Sequence, residues 1–426
     1  MSIPRRPTAR LRPPSPFPAA ADRALKALRA ADPSWARSLG DPAAPGWFFD
    51  DRSPEGDGRR TALYRRALHE AEGAAPARAT PDELIDRDVL RARAAALLWR
   101  TADLRPQTWN PVAHDPAAAL AGLLDDVRLP EAEYRDAVLA AALEIPGHTG
   151  VLLARLEKGP GVPPAHLTAA MRVGEHLETE LESRVRVVLS PASAAPGERT
   201  TALMACHRVA SAARGHILFA AHGLAQRRAA GPRVPEHRLD HRARHHRHDL
   251  RLRVTRLVAR AQALTCGPAP GDGAPPVRAL LPAPLFVLGW EAYAADELAR
   301  RGWSGGDPGD AEGVRADRAL RLLAALDRLR DALAAVVEIR LHTGDLTEPE
   351  AIGMLTVRGH HDVEEADRIW QGVRTAVFPA AARYIARRET AALLADLSGA
   401  RPGAGPRALL AHGPLAPRHL RTLLGL

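Results

Sequence analysis

From Val314 to His342 the chain carries apolar side chains at Leu322, Leu326, Leu329, Leu333 and Val336. Steps of three and four residues have the period of a helix and do not suit the two faces of a strand. A helix of that length commits the chain to helix-on-helix packing. The spacing predicts an amphipathic helix over 314–342 whose stripe faces a core, with Gly344 as its stop. Thr347-Glu348-Pro349-Glu350 then reads as a capping box opening the next helix. Asp362 with Glu365 offers a second such start, for a helix that ends before Pro379.

The rest of the chain speaks the same language. Pro81–Arg100 places Leu84, Ile85, Val89, Leu90 and Leu97 at helical spacing, and 131–145 and 164–189 read alike. Composition agrees: the chain is 46% hydrophobic, largely Ala, Leu and Val, and only 4% aromatic. Ala, Leu and Arg are strong helix formers, whereas strands favour β-branched and aromatic residues. Gly/Pro-rich breaks fall at 191–197, 230–235, 305–313 and 266–284, and again from Ser398 to Pro417. No internal repeat and no strand pair is evident. The expected fold is all-α, one large helical domain over 21–426 behind a disordered, Pro- and Arg-rich arm at 1–20. Two helical halves, 21–265 and 285–426, are expected to enclose a cleft and to meet at a Gly/Pro-rich junction, 266–284.

A net charge of +9 raises the question of nucleic acid. Lysine occurs only at Lys26 and Lys158, so the charge is almost all Arg, in an Ala-, Gly- and Pro-rich chain of the kind GC-rich genomes encode. Nine charges over 426 residues make a dilute field, which argues against nucleic acid as partner. Cys206 and Cys266 form no CxxC pair and no disulfide framework. The basic, Pro-rich start lacks the apolar run of a signal peptide, and no run of about 18 uninterrupted apolar residues occurs. The expectation is therefore a cytoplasmic protein with no membrane partner.

Three constellations could carry chemistry. His237, His241 and His245 would share one helix face, with His248 close by, a spacing that can bind zinc or nickel. Arg238, Arg242, Arg244 and Arg247 interleave with them and would oppose a cation, so a solvated basic face is the simpler alternative. Glu144-Ile145-Pro146-Gly147-His148 resembles the end of a His-Glu-x-x-Pro-Gly-His zinc motif, but Ala142 and Leu143 stand where the first His-Glu pair belongs. One His in what reads as a helix-ending Pro-Gly turn cannot supply that chemistry. Glu338 and His342, four apart, place a carboxylate beside an imidazole. They could act as an acid–base pair, or His342 could simply meet the last carbonyls of its helix.

The C-terminal text supports a family resemblance. VVEIRLHTGDLTEPEAIGML (336–355) is similar to a signature of the bacterial family known as domain of unknown function 885, an Asp–x–x–x–His–x–Gly pattern followed by a capped helix. Glu338 stands at the Asp position; His342 and Gly344 match. Arg374 and Pro379 match a later Arg and Pro-Gly-Gln segment, although Ala380 and Ala381 replace Gly-Gln and Tyr384 falls one residue early. Gly289-Trp290-Glu291-Ala292-Tyr293-Ala294 resembles the family's Glu-Gly-Trp-Ala-Leu-Tyr-Ala-Glu segment, with both flanking acids lost to Leu288 and Ala295. Segments 108–124 and 152–170 resemble its N-terminal helical half, so the likeness runs from about Glu83 to Leu394.

That family resembles zinc peptidases, and its His-Glu-x-x-Pro-Gly-His stretch has no counterpart here. A catalytic zinc needs three protein ligands and an open position. The resemblance thus implies a pseudoenzyme without metal or cofactor, a binding or accessory protein. Trp290, Tyr293, Glu338, His342 and Arg374 would surround the old site, and an Arg–Glu–His set suits a small anionic or carboxylate-bearing ligand. A metal-independent enzyme using Glu338 and His342, and a hydrolase with a metal site rebuilt from His237, His241 and His245, are the alternatives.

Overall fold

Prolines that look like breaks along this chain mostly open helices. The computed structural model describes residues 15–38, 49–73, 79–113, 116–124, 131–179, 185, 247–267, 276–302, 310–376 and 378–426, and no strand occurs among them. The first helices are α1 (Phe17–Ala31), α2 (Pro33–Ser38), α3 (Pro54–Gly73), α4 (Pro81–Trp99), α5 (Pro116–Leu124), α6 (Glu131–Glu157) and α7 (Pro164–Thr179). Then come α8 (Arg247–Thr265), the short α9 (Val277–Leu280), α10 (Pro284–Arg301), α11 (Ala311–Thr343), α12 (Glu348–Gly353), α13 (Val363–Thr375), α14 (Pro379–Ala400), α15 (Arg407–Ala411) and α16 (Pro417–Leu424). A proline in the first turn costs nothing, because those N–H groups have no helical partner.

Three alanine-rich faces build the first core. Ala24, Leu25 and Leu28 of α1 meet Tyr64, Ala67 and Ala71 of α3 and Leu90 and Ala94 of α4. The capping box of Thr80 and Glu83 fixes the start of α4. The expected arm ends earlier than its prolines suggest. Residues 17–20 already belong to α1, and Phe17 is only 3% exposed. An apolar anchor beside a first-turn proline is a helix start, not a linker. Residues 1–14 lie outside the described residues.

The Pro146-Gly147 pair does not end a helix either; α6 runs through it to Glu157. Val138, Ala141, Ala142 and Ile145 are buried with Leu120, Leu124 and Val185, and this face outweighs the local breakers. By length and composition, the Tyr134–Glu157 stretch of α6 is also apolar enough to cross a membrane, with a mean hydropathy of 1.5. Here it packs on α5, and Arg155 near its end pairs with Asp57 of α3 at 2.6 Å.

Packing also crosses the expected division at 266–284. Although α8 precedes it, Ala259 and Ala263 of α8 join Phe286, Trp290, Leu393 and Leu397 in the C-terminal core. Val277 and Leu281, within the junction, join the first core instead. Arg278 fastens this connection to α4 through Asp86 and Asp82, both at 2.6 Å, and donates to the His412 carbonyl. The two halves are thus packed as one body.

In the C-terminal bundle, Gly289 lets α10 approach α14. A Cβ there would lie 2.1 Å from Thr390 Oγ1 and 2.5 Å from the Ala386 carbonyl oxygen. Arg387 of α14 pairs with Asp296 of α10 and, at 2.7 Å, with Asp331 of α11. The caps at Thr347 and Asp362 form as expected, and Gly344 ends α11 at φ 82°. The stripe of α11 faces inward only in part, with Leu326 and Leu333 half-buried. Leu322 is 70% exposed, and Leu329 and Val336 are also exposed, whereas Ala316, Leu320, Ala324 and Ala335 are buried. Small side chains face the crowded side because they admit neighbouring helices more closely. The Ser398–Pro417 stretch is no loose tail, since Leu409 and Leu415 are buried in the same core.

Candidate functional site

Helices α1, α3 and α6, Pro33 at the start of α2 and a short segment line an open pocket of about 690 Å³. Ala30 and Ala31 of α1, Arg59, Arg60 and Leu63 of α3, and residues 49–52 line it together with one face of α6. Small-molecule sites run from about 300 to 1,000 Å³. On α6, Leu143, Glu144, Gly147, His148 and Val151 fall at three- and four-residue steps, so they share the cavity face. The apolar part of the wall is Ala31, Leu63, Leu143 and Val151; the polar part is Asp51, Arg59, Arg60, Glu144 and His148.

The segment 49–53 is held in one shape by its own charges. The Phe49 N–H donates to Glu144 Oε2 at 2.9 Å, and the Phe49 ring stacks on the His148 imidazole with centroids 4.6 Å apart. Asp50 accepts from the Ser34 N–H (2.9 Å), the Ser34 hydroxyl (2.7 Å) and Arg52 (2.7 Å). Asp51 accepts from the Ser53 N–H at 2.9 Å and pairs with Arg59, while its carbonyl accepts from Arg60. Gly56 makes room for that carbonyl; a Cβ would lie 2.3 Å from it.

Behind this wall lies a buried network. Asp57 accepts from Arg60, from Gln107 Nε2 at 2.7 Å and from Arg155 at 2.6 Å. Arg155 also donates to the Arg52 carbonyl at 2.5 Å. Tyr64 donates to Asp32 Oδ2 at 2.6 Å. Burial raises the Asp32 carboxyl, and the nearby Asp50 charge adds to it against the Tyr64 hydrogen bond. Burial and the Asp32 charge likewise push the Tyr64 hydroxyl upward. Burial and repulsion from Arg60 lower the Arg52 guanidinium. At the rim, burial pushes Asp51 up, but the Ser53 hydrogen bonds and the charges of Arg59 and Arg60 outweigh it and hold the carboxyl low.

This arrangement can orient a small molecule and exchange protons with it. Glu144 and His148 are both half-buried on the wall, four residues apart. No group of three His, Cys, Asp or Glu residues placed to hold a metal ion occurs among the described residues.

None of the five expected site residues lines this cavity. Trp290 and Tyr293 pack together, ring centroids 5.5 Å apart, in the core shared by α8, α10 and α14. The Trp290 indole N–H donates to Gln262 Oε1 at 3.1 Å. Burial, with the nearby Glu297, raises the Tyr293 hydroxyl. Glu338 is 0% exposed and accepts from the Ala381 N–H at 2.7 Å, which makes it a cap for α14. The α14 start needs one: Phe378 at φ 50° supplies no side-chain cap and Pro379 has no N–H. His342 is exposed, its ring 5.0 Å from that of Phe378. Arg374 lies over the Trp370 ring and pairs with Glu348 at 3.6 Å. His237, His241, His245 and Cys206 lie outside the described residues.

The sequence did contain Glu144 and His148, but read them as the stump of a turn. The signal that places them is the apolar period of Val138, Ala142, Ile145 and Leu152, which continues across Pro146-Gly147. Nothing local in Asp50-Asp51-Arg52 marks it as a cavity wall.

No family model and no curated protein matches the chain. Among solved structures, a candidate lipoprotein of unknown function from Shewanella oneidensis has the same fold, with a TM-score of 0.66. It is 12% identical over 97% of this chain and 100% of that one. At that identity the likeness speaks for the fold alone.

Proposed function

We propose that this chain is a metal-independent binding protein holding a small amphipathic molecule in the cavity between α1, α3 and α6. Its scaffold would be that of the zinc-peptidase-like family known as domain of unknown function 885, whose motif order it resembles. The observation that carries the reading is the cavity wall, apolar at Leu63, Leu143 and Val151 and polar at Glu144 and His148. An apolar body suits the first group. A carboxylate suits Arg59 at the rim, whose side chain is 65% exposed while paired with Asp51. The expected anionic ligand is kept, but its seat moves away from Trp290, Tyr293, Glu338, His342 and Arg374.

A second reading has one observation in its favour: Glu144 and His148 reach the same cavity and could pass a proton without metal. It replaces Glu338 in that role, because a carboxylate with no exposed surface cannot meet a substrate.

The test is unfolding of the purified chain against a panel of apolar carboxylates, with chelator and with added zinc. A ligand at 100 times its Kd adds about 2.7 kcal/mol of stability. Stabilisation that survives the chelator is expected. A zinc-dependent effect would sink metal independence, and no stabilisation across the panel would sink the binding reading. Conversion of a stabilising compound would favour the second reading.

A further inference from the structure

Helix α8 is apolar on two sides. Leu252, Ala259 and Ala263 turn inward and are at most 3% exposed. On the opposite side, Leu250, Val254, Leu257, Val258 and Leu264 are 56%, 45%, 67%, 64% and 39% exposed. Together with the exposed Ala261 they recur at three- and four-residue steps, forming one outward apolar stripe along the helix.

Arginines border that stripe. Arg253, Arg256 and Arg260 share one edge by their spacing, and Arg251 lies on the other. Helix α8 carries one acid, Asp249 in its first turn, and none from Leu250 to Thr265. Arg256 is tied to Asp327 of α11 at 2.6 Å, and Arg260 to Glu291 of α10 at 3.2 Å. Both acids belong to other helices, and the Arg260 side chain remains 56% exposed. A guanidinium has five donors, so one carboxylate contact leaves others for phosphate. The exposed stripe of α11, by contrast, shares its helix with Asp317, Asp327 and Asp331 as well as arginines.

An outward stripe of Leu and Val with arginines gathered along one edge has the chemistry of an interfacial helix. The apolar side chains enter the acyl boundary while the arginines reach the headgroup phosphates. We propose that α8 docks this chain on an anionic lipid surface, lying in the plane of the interface. Charge complementarity selects this occupant over a second copy, since two copies of α8 would bring their arginines together.

The experiment is sedimentation of the full chain with phosphatidylcholine vesicles and with vesicles that also contain phosphatidylglycerol. Binding about tenfold or more tighter to the mixed vesicles is expected, weakening as salt rises. Leu257→Glu with Val258→Glu should abolish it. Both positions are exposed and Glu is a good helix former, so the unfolding curve should match the parent. Failure to bind either vesicle, or binding that the double variant retains, overturns the proposal. So does a dimer in solution that the double variant dissolves without any vesicle binding, since the face would then join two copies. Should the variant misfold, the lipid and salt dependence of the parent chain still decides.

Discussion

Replacing Gly147 by Trp separates the cavity from the fold. Gly147 lies on the cavity wall inside α6, and a Cβ built there meets nothing within 4 Å. Its backbone is helical, so a larger residue brings no strain. Glycine inside a helix costs about 1 kcal/mol relative to alanine, and tryptophan about half of that, so the substitution gains a few tenths of a kcal/mol. Exposing part of a large ring offsets some of this. Net stability should stay within about 0.5 kcal/mol of the parent. The indole can cover the mouth of the cavity, because Leu143, Glu144, His148 and Val151 flank it on the same face. A compound that stabilises the parent by about 2.7 kcal/mol at 100 times its Kd should therefore give nearly nothing in the variant. Denaturant titration is the right assay. In a chain of 426 residues, 1 kcal/mol moves the melting temperature by only about one degree. A variant of parental stability that still binds the compound with parental affinity would refute the placement of the ligand.

Four other outcomes follow from the same contacts. Pro146→Ala restores an N–H facing the Ala142 carbonyl inside α6 and should stabilise the chain by roughly 1–3 kcal/mol in a denaturant titration; no gain would mean the helix has adapted to its proline. Gly289→Ala drives a methyl group into Thr390 and the Ala386 backbone, and a loss of about 3 kcal/mol or more is expected despite better helix propensity. Asp32 has its carboxyl raised in the folded state, so the fold is relatively favoured while Asp32 is protonated and loses that advantage as pH rises through the raised value. Asp32→Asn keeps an acceptor for Tyr64 and should flatten that decline in stability-against-pH curves; an unchanged slope would assign it elsewhere. Glu338→Gln keeps an acceptor for the Ala381 N–H and should cost about 1 kcal/mol, while Glu338→Ala leaves that N–H orphaned and should cost about 2–4. If the Gln variant were fully stable but unable to bind ligand, Glu338 would be a binding residue after all.

Local features of this fold were legible in the sequence and long-range ones were not. The caps at Thr347 and Asp362 depend on residues three apart, and each forms. Helical period located α4 and α11, because it is a property of the helix itself. Orientation is a property of the neighbours. On α11 the Leu322–Val336 stripe looked like the core side, yet Leu322 is 70% exposed and the buried side mixes Ala316, Ala324 and Ala335 with Leu320, Val337 and Glu338. Hydrophobicity alone cannot rank a leucine face against an alanine face when close helix approach decides. The same gap separates the expected site residues from the cavity. Trp290, Tyr293, Glu338, His342 and Arg374 carry the family likeness, but packing assigns them to core contacts and helix ends. Glu144 and His148 were visible and dismissed, since whether a helix crosses Pro-Gly depends on what buries its far face.

Two sets of buried acids sharpen the distinction between bracing and binding. Glu338 is enclosed and answers one N–H at the start of one helix. That cap uses Oε2 alone; among the described residues the buried Oε1 has no hydrogen-bond partner. The set around Asp50 and Asp57 is different in kind. Ion pairs like Arg60–Asp57–Arg155 add little stability over apolar packing of the same volume, because desolvation offsets their attraction. What the network does is fix geometry. It ties α3 to α6 and to the turn after α4, and through the Arg52 carbonyl it holds the segment 49–52 against the cavity. A rigid polar wall supported from behind is what a binding site requires of its scaffold. A helical bundle that only had to stay folded could have closed the same space with leucine. That support from behind is what leads us to propose the cavity as the ligand's seat.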